Sequence, residues 1–424
     1  MMVGWNDTYL ANHLPSDTAA AGAAVGTIQY FFWFTGLVAG AVAAGSTAII
    51  ARAIGAKHRS LANSICAQSI LFTAIIGGIF GLATLVFAAP MAKLTGLHGS
   101  AYDFAFVYLR LLSPSVPFVL VMIVANACLR GAGDTLSPAI AMIIVDLINI
   151  FFSWGLTRGL WGMPKLGFNG IAIGTIIAYI AGGIIQLVVL IVGRGGIRLY
   201  LHRLRPHWHN LQRIVRIGLP SGAGDLLNFG ANFVLIMVIN STDPTNVASA
   251  AHNIAIRVES LSYMTGFAVA VAATTMVGQS LGMRDPKRAT RVAYLAYLLG
   301  GGFMTFAGLC FIFLGHYPAA FLSADPSVRN LAARCLLITG FCQSGFAAAI
   351  IFSGALRGAG DTMSVMIMSL ISVILLRLGG VLVVGLWLHM GLAAIWVVLA
   401  SELFIRGCLI YSRFLQGGWK HVEV

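Results

Sequence analysis

Carboxylates inside apolar runs are the residues of this chain best placed to do chemistry. A charge held away from water is costly and is kept where it is used. Asp146, Asn149 and Ser153 stand three and four residues apart, which sets all three on one face of a helix. Asp225, Asn228 and Asn232 repeat that arrangement further along. Either set could take up and release a proton or a small cation. For the second set the competing reading is a carboxylate buried against an arginine. Glu259 and Arg377 also lie in apolar runs. An arginine in mid-membrane needs a counter-charge, so Arg377 is expected to pair with Glu259 or with Asp225. Glu402 and Arg406, four residues apart, are expected to form a structural pair.

Patterns for bond-making chemistry lead nowhere. HExxH and GxSxG are absent. Gly131-Ala132-Gly133-Asp134 has the form of an intramembrane aspartyl protease motif, with Tyr102-Asp103 as the second half. The residues between them form one span of about 39 Å at ~1.5 Å per residue, so the two carboxylates cannot meet to share a proton. No enzyme activity and no cofactor are expected. The six cysteines (66, 128, 310, 335, 342 and 408) include no CxxC, so neither a disulfide framework nor a metal site is implied.

The elements that hold these side chains are apolar runs at roughly 22–49, 64–89, 104–129, 136–157, 167–193, 214–239, 247–277, 289–315, 331–356, 363–388 and 390–413. Each meets or exceeds the ~20 residues that cross a bilayer. They are long, continuous and not alternating, so they are helices rather than barrel strands. Of the 424 residues only 9% are charged, against ~25% in soluble domains. That is too few to cover a soluble surface of this size. A short apolar piece, Met1–Leu14, precedes the eleven spans. The net charge of +13 suggests nucleic acid at first sight. With the loop near residue 55 on the cytoplasmic side, however, 17 Lys and Arg fall inside and 4 outside. The implied partner is the lipid bilayer, and nucleic acid is not expected. Five basic residues, among them Arg257 and Arg377, lie in or at the ends of spans.

The chain also repeats itself. Leu129-Arg130-Gly131-Ala132-Gly133-Asp134-Thr135 returns 227 residues later as Leu356-Arg357-Gly358-Ala359-Gly360-Asp361-Thr362. Ile54-Gly55 and Ala23-Ala24 find counterparts at the same shift. Both copies have the same predicted orientation, which makes a parallel repeat of six-helix halves: 1–193, a basic cytoplasmic linker 194–213, and 214–424. Two like halves describe a secondary transporter. Arg130, Asp134, Arg357 and Asp361 are expected to shape or gate the two repeated hairpins, with Thr135 or Thr362 helping to start the next helix. Shifted back by 227, the start of the seventh span falls before residue 1. The first span is therefore expected to lack its front half, with Met1 an internal position of a longer protein or a misplaced start.

Several of these segments together resemble the MATE (multidrug and toxic compound extrusion) family. They are the paired LRGAGDT loops, Gly218-Leu219-Pro220, Ala250-Ala251-His252-Asn253, Val277-Gly278-Gln279-Ser280-Leu281-Gly282, Arg377 and Gly418-Trp419-Lys420. The likeness is greatest to the DinF-like branch. The resemblance implies an all-α polytopic membrane protein of twelve helices in two lobes, here with helix 1 incomplete. It implies an outward-pumping antiporter driven by Na⁺ or H⁺ and acting on amphiphilic organic cations. It matches Asp7 to a coupling carboxylate of helix 1, Asn149 to an asparagine of helix 5 and Thr175 to a hydroxyl of helix 6, so a Na⁺ site at Asp7, Asn149 and Thr175 is implied. Ser153 stands where the family has an aspartate, and Asp146, one turn earlier, is expected to supply that charge. Many members have a glutamate at the position of Asn228; here the acid is Asp225, three residues before it.

The expected activity is export of small amphiphilic, cationic compounds in exchange for H⁺ or Na⁺. The cavity would be lined by Asp225, Asn228, Asn232, Glu259 and Arg377. The expected setting is the plasma (inner) membrane, as a multi-pass monomer with both ends cytoplasmic. The rival is a flippase for lipid-linked precursors, which should show a wide basic cavity for phosphates. Five intramembrane acids against few arginines, chiefly Arg257 and Arg377, favour the cationic cargo. The aromatic run Tyr30–Phe34 is read first as packing and second as a stacking face for cations.

Overall fold

Backbone amides inside a bilayer have no water to bond, so each apolar run must close its own hydrogen bonds as a helix. The computed structural model describes residues 2–14, 17–94, 97–243, 245–323 and 325–422. Within them the first half of the chain forms α1 (Met2–Ala11), α2 (Thr18–Gly55), α3 (Arg59–Leu94), α4 (Ser100–Gly131), α5 (Leu136–Arg158) and α6 (Phe168–Val192). The second forms α7 (Trp208–Thr242), α8 (Val247–Gly282), α9 (Pro286–Leu314), α10 (Pro326–Ala359), α11 (Thr362–Trp387) and α12 (Gly391–Gln416). The helices α2 to α12 are long and apolar enough to cross a membrane, at the eleven places the hydropathy marks. Among the described residues there is no strand beyond one isolated bridge, Arg194 with Ile197.

Contacts divide the chain into two compact units. The first is Met1–Ser46 with Arg59–Val215, and the second Thr47–His58 with Arg216–Val424. In the first unit the basic segment before α7 is held to α3 by one side chain. Gln68 donates to the carbonyls of Arg203 and Arg205 at 3.0 and 2.8 Å and accepts from the His207 amide at 2.9 Å.

The repeated LRGAGDT segments make the same turn twice. The Gly133 amide bonds the Arg130 carbonyl and the Asp134 amide the Leu129 carbonyl, both at 2.9 Å. In the second copy Gly360 bonds Arg357 at 3.0 Å and Asp361 bonds Leu356 at 2.9 Å. Gly133 and Gly360 take φ of 96° and 89°, which any residue with a Cβ resists. The next helix starts differently from expectation: neither threonine caps it. Asp134 does so in the first copy, accepting from the Ser137 amide at 3.0 Å and hydroxyl at 2.6 Å. A carboxylate is the better acceptor there, because it also suits the positive end of the helix. In the second copy Asp361 turns instead to Arg413 at 2.9 Å.

Two close approaches set the positions of the polar side chains. Gly170 and Gly174, one turn apart on α6, lie against α5; a Cβ on Gly174 would sit 2.5 Å from the Ser153 amide nitrogen. Small residues at that spacing let two membrane helices meet backbone to backbone. In the second unit Gly345 of α10 and Gly407 of α12 meet in the same manner. Within α11, Ser372–Leu378 is wound as π-helix, which widens the turn that carries Arg377.

Candidate functional site

The polar side chains gather in two clusters, one in each unit. In the first, α1 brings Asp7 to α4, α5 and α6. Asp7 is 1% exposed. Thr175 donates to its Oδ2 at 2.6 Å, Tyr108 to the same oxygen at 3.1 Å, and Asn149 to Oδ1 at 3.3 Å. The Asn149 amide nitrogen also lies 3.0 Å from Thr175 Oγ1 and 3.2 Å from Ser153 Oγ. Its oxygen accepts from Asn6 at 2.9 Å, and Asn6 in turn accepts from Trp154 at 2.9 Å. None of the groups that hold Asp7 is a cation. Asp7, Asn149, Ser153 and Thr175 are thus brought together.

Asp146 is not part of that set. The buried stripe of α5 runs through Ala141, Val145, Asn149 and Ser153 in steps of four. Asp146 follows Val145 by one residue, about 100° around the helix. It is half-buried, and its Oδ1 is enclosed with no hydrogen-bond partner among the described residues. Tyr179 lies within electrostatic reach of both Asp7 and Asp146.

Oxygen and amide groups of this kind suit a proton or a hard cation such as Na⁺. No cluster of three or more His, Cys, Asp or Glu suited to a metal occurs among the described residues. Three donors already aim at the Asp7 carboxylate. A Na⁺ ion would need Asn149 to turn its oxygen inward and give up the bond from Asn6.

The second cluster is built on α7. Asp225 pairs with Arg357 of α10 at 3.4 Å. Asn228 accepts from Arg406 of α12 at 3.0 Å, and Asn232 accepts from Arg377 of α11 at 3.2 Å. Glu402 is 0% exposed and lies between Arg377 Nη2 at 2.7 Å and Arg406 Nε at 3.3 Å, with the Ser372 hydroxyl donating at 2.9 Å. The expected partners of Arg377 are therefore corrected. It binds neither Glu259 nor Asp225 but Glu402, because the π turn of α11 faces α12. Glu259 is closed in elsewhere, accepting from Thr339 at 2.5 Å and from Gln343 at 3.3 Å. Arg357, expected as a hairpin residue, reaches out of its turn to α7. The Glu402–Arg406 pair forms as the spacing implies.

Sequence reasoning passed over Asn6, Tyr108 and Trp154 in the first cluster, Ser372 in the second, and Thr339 and Gln343 around Glu259. Asn6 had a signal, as the neighbour of Asp7. Tyr108 had none, since one tyrosine among the aromatic residues of α4 carries no spacing cue. The aromatic run of α2 divides: Phe32 packs edge-on against Tyr179 at 5.3 Å, while Tyr30 and Trp33 are exposed. It presents no single stacking face.

Known proteins place these clusters in context. A model of the MatE family matches residues 1–154 and 220–383. A Thermotoga maritima protein named probable multidrug resistance protein NorM is 30% identical over 99% of this chain and 89% of its own. A Shewanella oneidensis protein named FAD transporter is 25% identical over 88% of this chain and 81% of its own. A crystal structure of MATE in the bent conformation matches with a TM-score of 0.90 at 20% identity, covering 99% of this chain and 92% of that one. At that identity the likeness speaks for the twelve-helix fold.

Proposed function

The chain belongs to the MatE family of multidrug efflux transporters, and we propose that it is an antiporter in which a proton taken up at Asp7 is exchanged for a small amphiphilic organic compound. One observation carries this reading: Asp7 is buried among Thr175, Tyr108 and Asn149 with no cation touching it. Such a carboxylate is relieved of its charge only by something that arrives from solution. Na⁺ needs oxygen acceptors where these donors point, whereas the Thr175 and Tyr108 hydroxyls can turn to accept from a protonated carboxyl. Asp146, the other acid within an apolar run of this half, is the alternative coupling carboxylate.

Coupling follows if the proton and the cargo prefer opposite states of the transporter, since a ligand shifts an equilibrium only through its differential affinity. In this reading 1–193 and 214–424 act as two lobes joined by the linker 194–213, and Arg130, Asp134, Arg357 and Asp361 serve the hairpins. The protein would work as a monomer in the inner membrane with both ends cytoplasmic. The earlier count of acids against arginines no longer supports a cationic cargo. Of the five acids, Asp225 and Glu402 are paired with arginine, Asp7 and Glu259 are closed in by neutral donors, and Asp146 keeps a buried oxygen with no partner among the described residues.

Dye efflux from vesicles holding the purified protein tests the reading, with a pH gradient and a Na⁺ gradient imposed separately. A pH gradient without Na⁺ should drive efflux, and Asp7→Asn should stop it. Efflux driven by Na⁺ alone would replace the proton by Na⁺, and efflux indifferent to both gradients would defeat antiport.

A further inference from the structure

Asp225, Asn228 and Asn232 lie on one face of α7 within about 10 Å, at ~1.5 Å per residue. Three successive helices each send one arginine to that face: Arg357 from α10, Arg406 from α12 and Arg377 from α11. Among the described residues two carboxylates, Asp225 and Glu402, touch these three guanidinium groups. Within the bonded set, three positive charges meet two negative ones. Glu259, the further acid of this region, accepts its hydrogen bonds from Thr339 and Gln343 and meets Arg377 only at longer electrostatic range. Two of the arginines, moreover, end on asparagine carbonyls, which accept a hydrogen bond but neutralise nothing.

An unmet donor accompanies this surplus. The Nε of Arg357 is buried and has no hydrogen-bond partner among the described residues, whereas that of Arg406 meets the Glu402 carboxylate at 3.3 Å. Buried guanidinium nitrogens are seldom left so. The face is also open: Asp225 and Asn228 are half-exposed and Asn232 is exposed. Charged groups exposed along a membrane helix face a water-filled space rather than lipid. A guanidinium offers its donors in a planar fork that fits carboxylate and phosphate oxygens, with charge-assisted bonds stronger than those to an amide.

We propose that this arginine-lined face of α7 is a binding station for an oxyanion, a carboxylate or phosphate carried by the amphiphilic cargo. The oxyanion takes the place of the Asn228 and Asn232 carbonyls on Arg406 and Arg377 and accepts from the unpartnered Nε of Arg357. The cargo is then an anionic or zwitterionic amphiphile. This inference rests on the transporter reading above and names the charge of what is carried.

The test uses the full-length protein and two dyes of one scaffold, anionic carboxyfluorescein and cationic rhodamine 6G, with binding followed by fluorescence anisotropy and transport followed in vesicles. The wild type should bind and move carboxyfluorescein. Arg357→Gln and Arg406→Gln should each weaken that binding about tenfold or more, the scale of one charge-assisted hydrogen bond, and leave rhodamine 6G binding unchanged or improved. Arg357 is at a half-exposed position, so Arg357→Gln keeps the test open if Arg406→Gln does not fold. A short-chain fluorescent phosphatidic acid forms a third arm. If it binds with the same arginine dependence while carboxyfluorescein does not, the oxyanion belongs to a lipid headgroup and the station stands. Binding of rhodamine 6G alone, or equal losses of both dyes in the arginine variants, would overturn the station while leaving the transporter reading intact. If neither dye nor lipid moves under any gradient, it is the transporter reading that fails.

Discussion

The two halves of this molecule share a repeated turn and differ in the electrostatics of their polar clusters. Around Asp7 a lone carboxylate is surrounded by neutral donors. Around Glu402 a carboxylate lies between two arginines, with a third arginine on the same face of α7. A carboxylate with neutral partners keeps its charge negotiable, because a proton can come and go without leaving another buried charge exposed. A carboxylate between two arginines is structurally committed, since removing it would leave two cations facing one another. The repeat has thus kept its backbone turns, where glycine geometry is demanding. Its side-chain chemistry has diverged toward a titratable site in one half and a fixed basic one in the other.

The comparison is broken most severely at its fixed end. Glu402→Gln should cost about 3–5 kcal/mol of stability, the usual penalty for removing one partner of a buried ion pair. Thermal unfolding in detergent would show it as a large drop in Tm, and an unchanged Tm would mean the arginines do not depend on Glu402. Asp7→Asn should do the reverse. The variant should fold with wild-type or higher Tm, because an amide needs no counter-charge, yet gradient-driven efflux should fall about 100-fold, near the upper range of typical coupling energies. Efflux above half the wild-type rate would remove Asp7 from the coupling role.

A smaller change sharpens the titratable end. Thr175→Val deletes the 2.6 Å donor to Asp7 at a cost of about 1–3 kcal/mol. A carboxylate that loses a donor holds its proton to higher pH, so the pH of half-maximal efflux should move upward; a shift downward would contradict the assignment. Least affected should be the stability of Arg357→Gln. Its ion pair with Asp225 is partly exposed at 32% and 39%, and such pairs contribute about 0–1 kcal/mol. A Tm within a few degrees of wild type is expected, so any loss of anion binding in this variant cannot be put down to unfolding.

Much of the architecture was open to reading before any coordinates. Hydrophobic length alone locates all eleven spans, because a bilayer tolerates no other backbone solution. The repeated LRGAGDT segment announced its turn through Gly133 and Gly360, whose positive φ only glycine adopts freely. The site was less open. Asp7, Asn149 and Thr175 are separated by 142 and 26 residues along the chain, and helical spacing says nothing about which helices become neighbours. Family resemblance supplied that link. Asp146 shows the limit of spacing in the other direction. It shares a broad helical face with Asn149, but a shift of one residue from the buried stripe leaves it outside the set around Asp7.

By itself, then, the sequence determined the membrane class, the number and places of the spans, the repeated LRGAGDT segment and the positions of its tight turns. All of these depend on properties local to a segment: apolar length, glycine torsion and charge beside a span. Only the tertiary structure decided which ionisable groups face one another. That choice depends on where α5 and α6 close up at Gly174, where α10 and α12 meet at Gly345 and Gly407, and how the π turn of α11 aims Arg377. Charges interact across space rather than along the chain, so Arg377 could be known to need a carboxylate, while packing alone made that carboxylate Glu402.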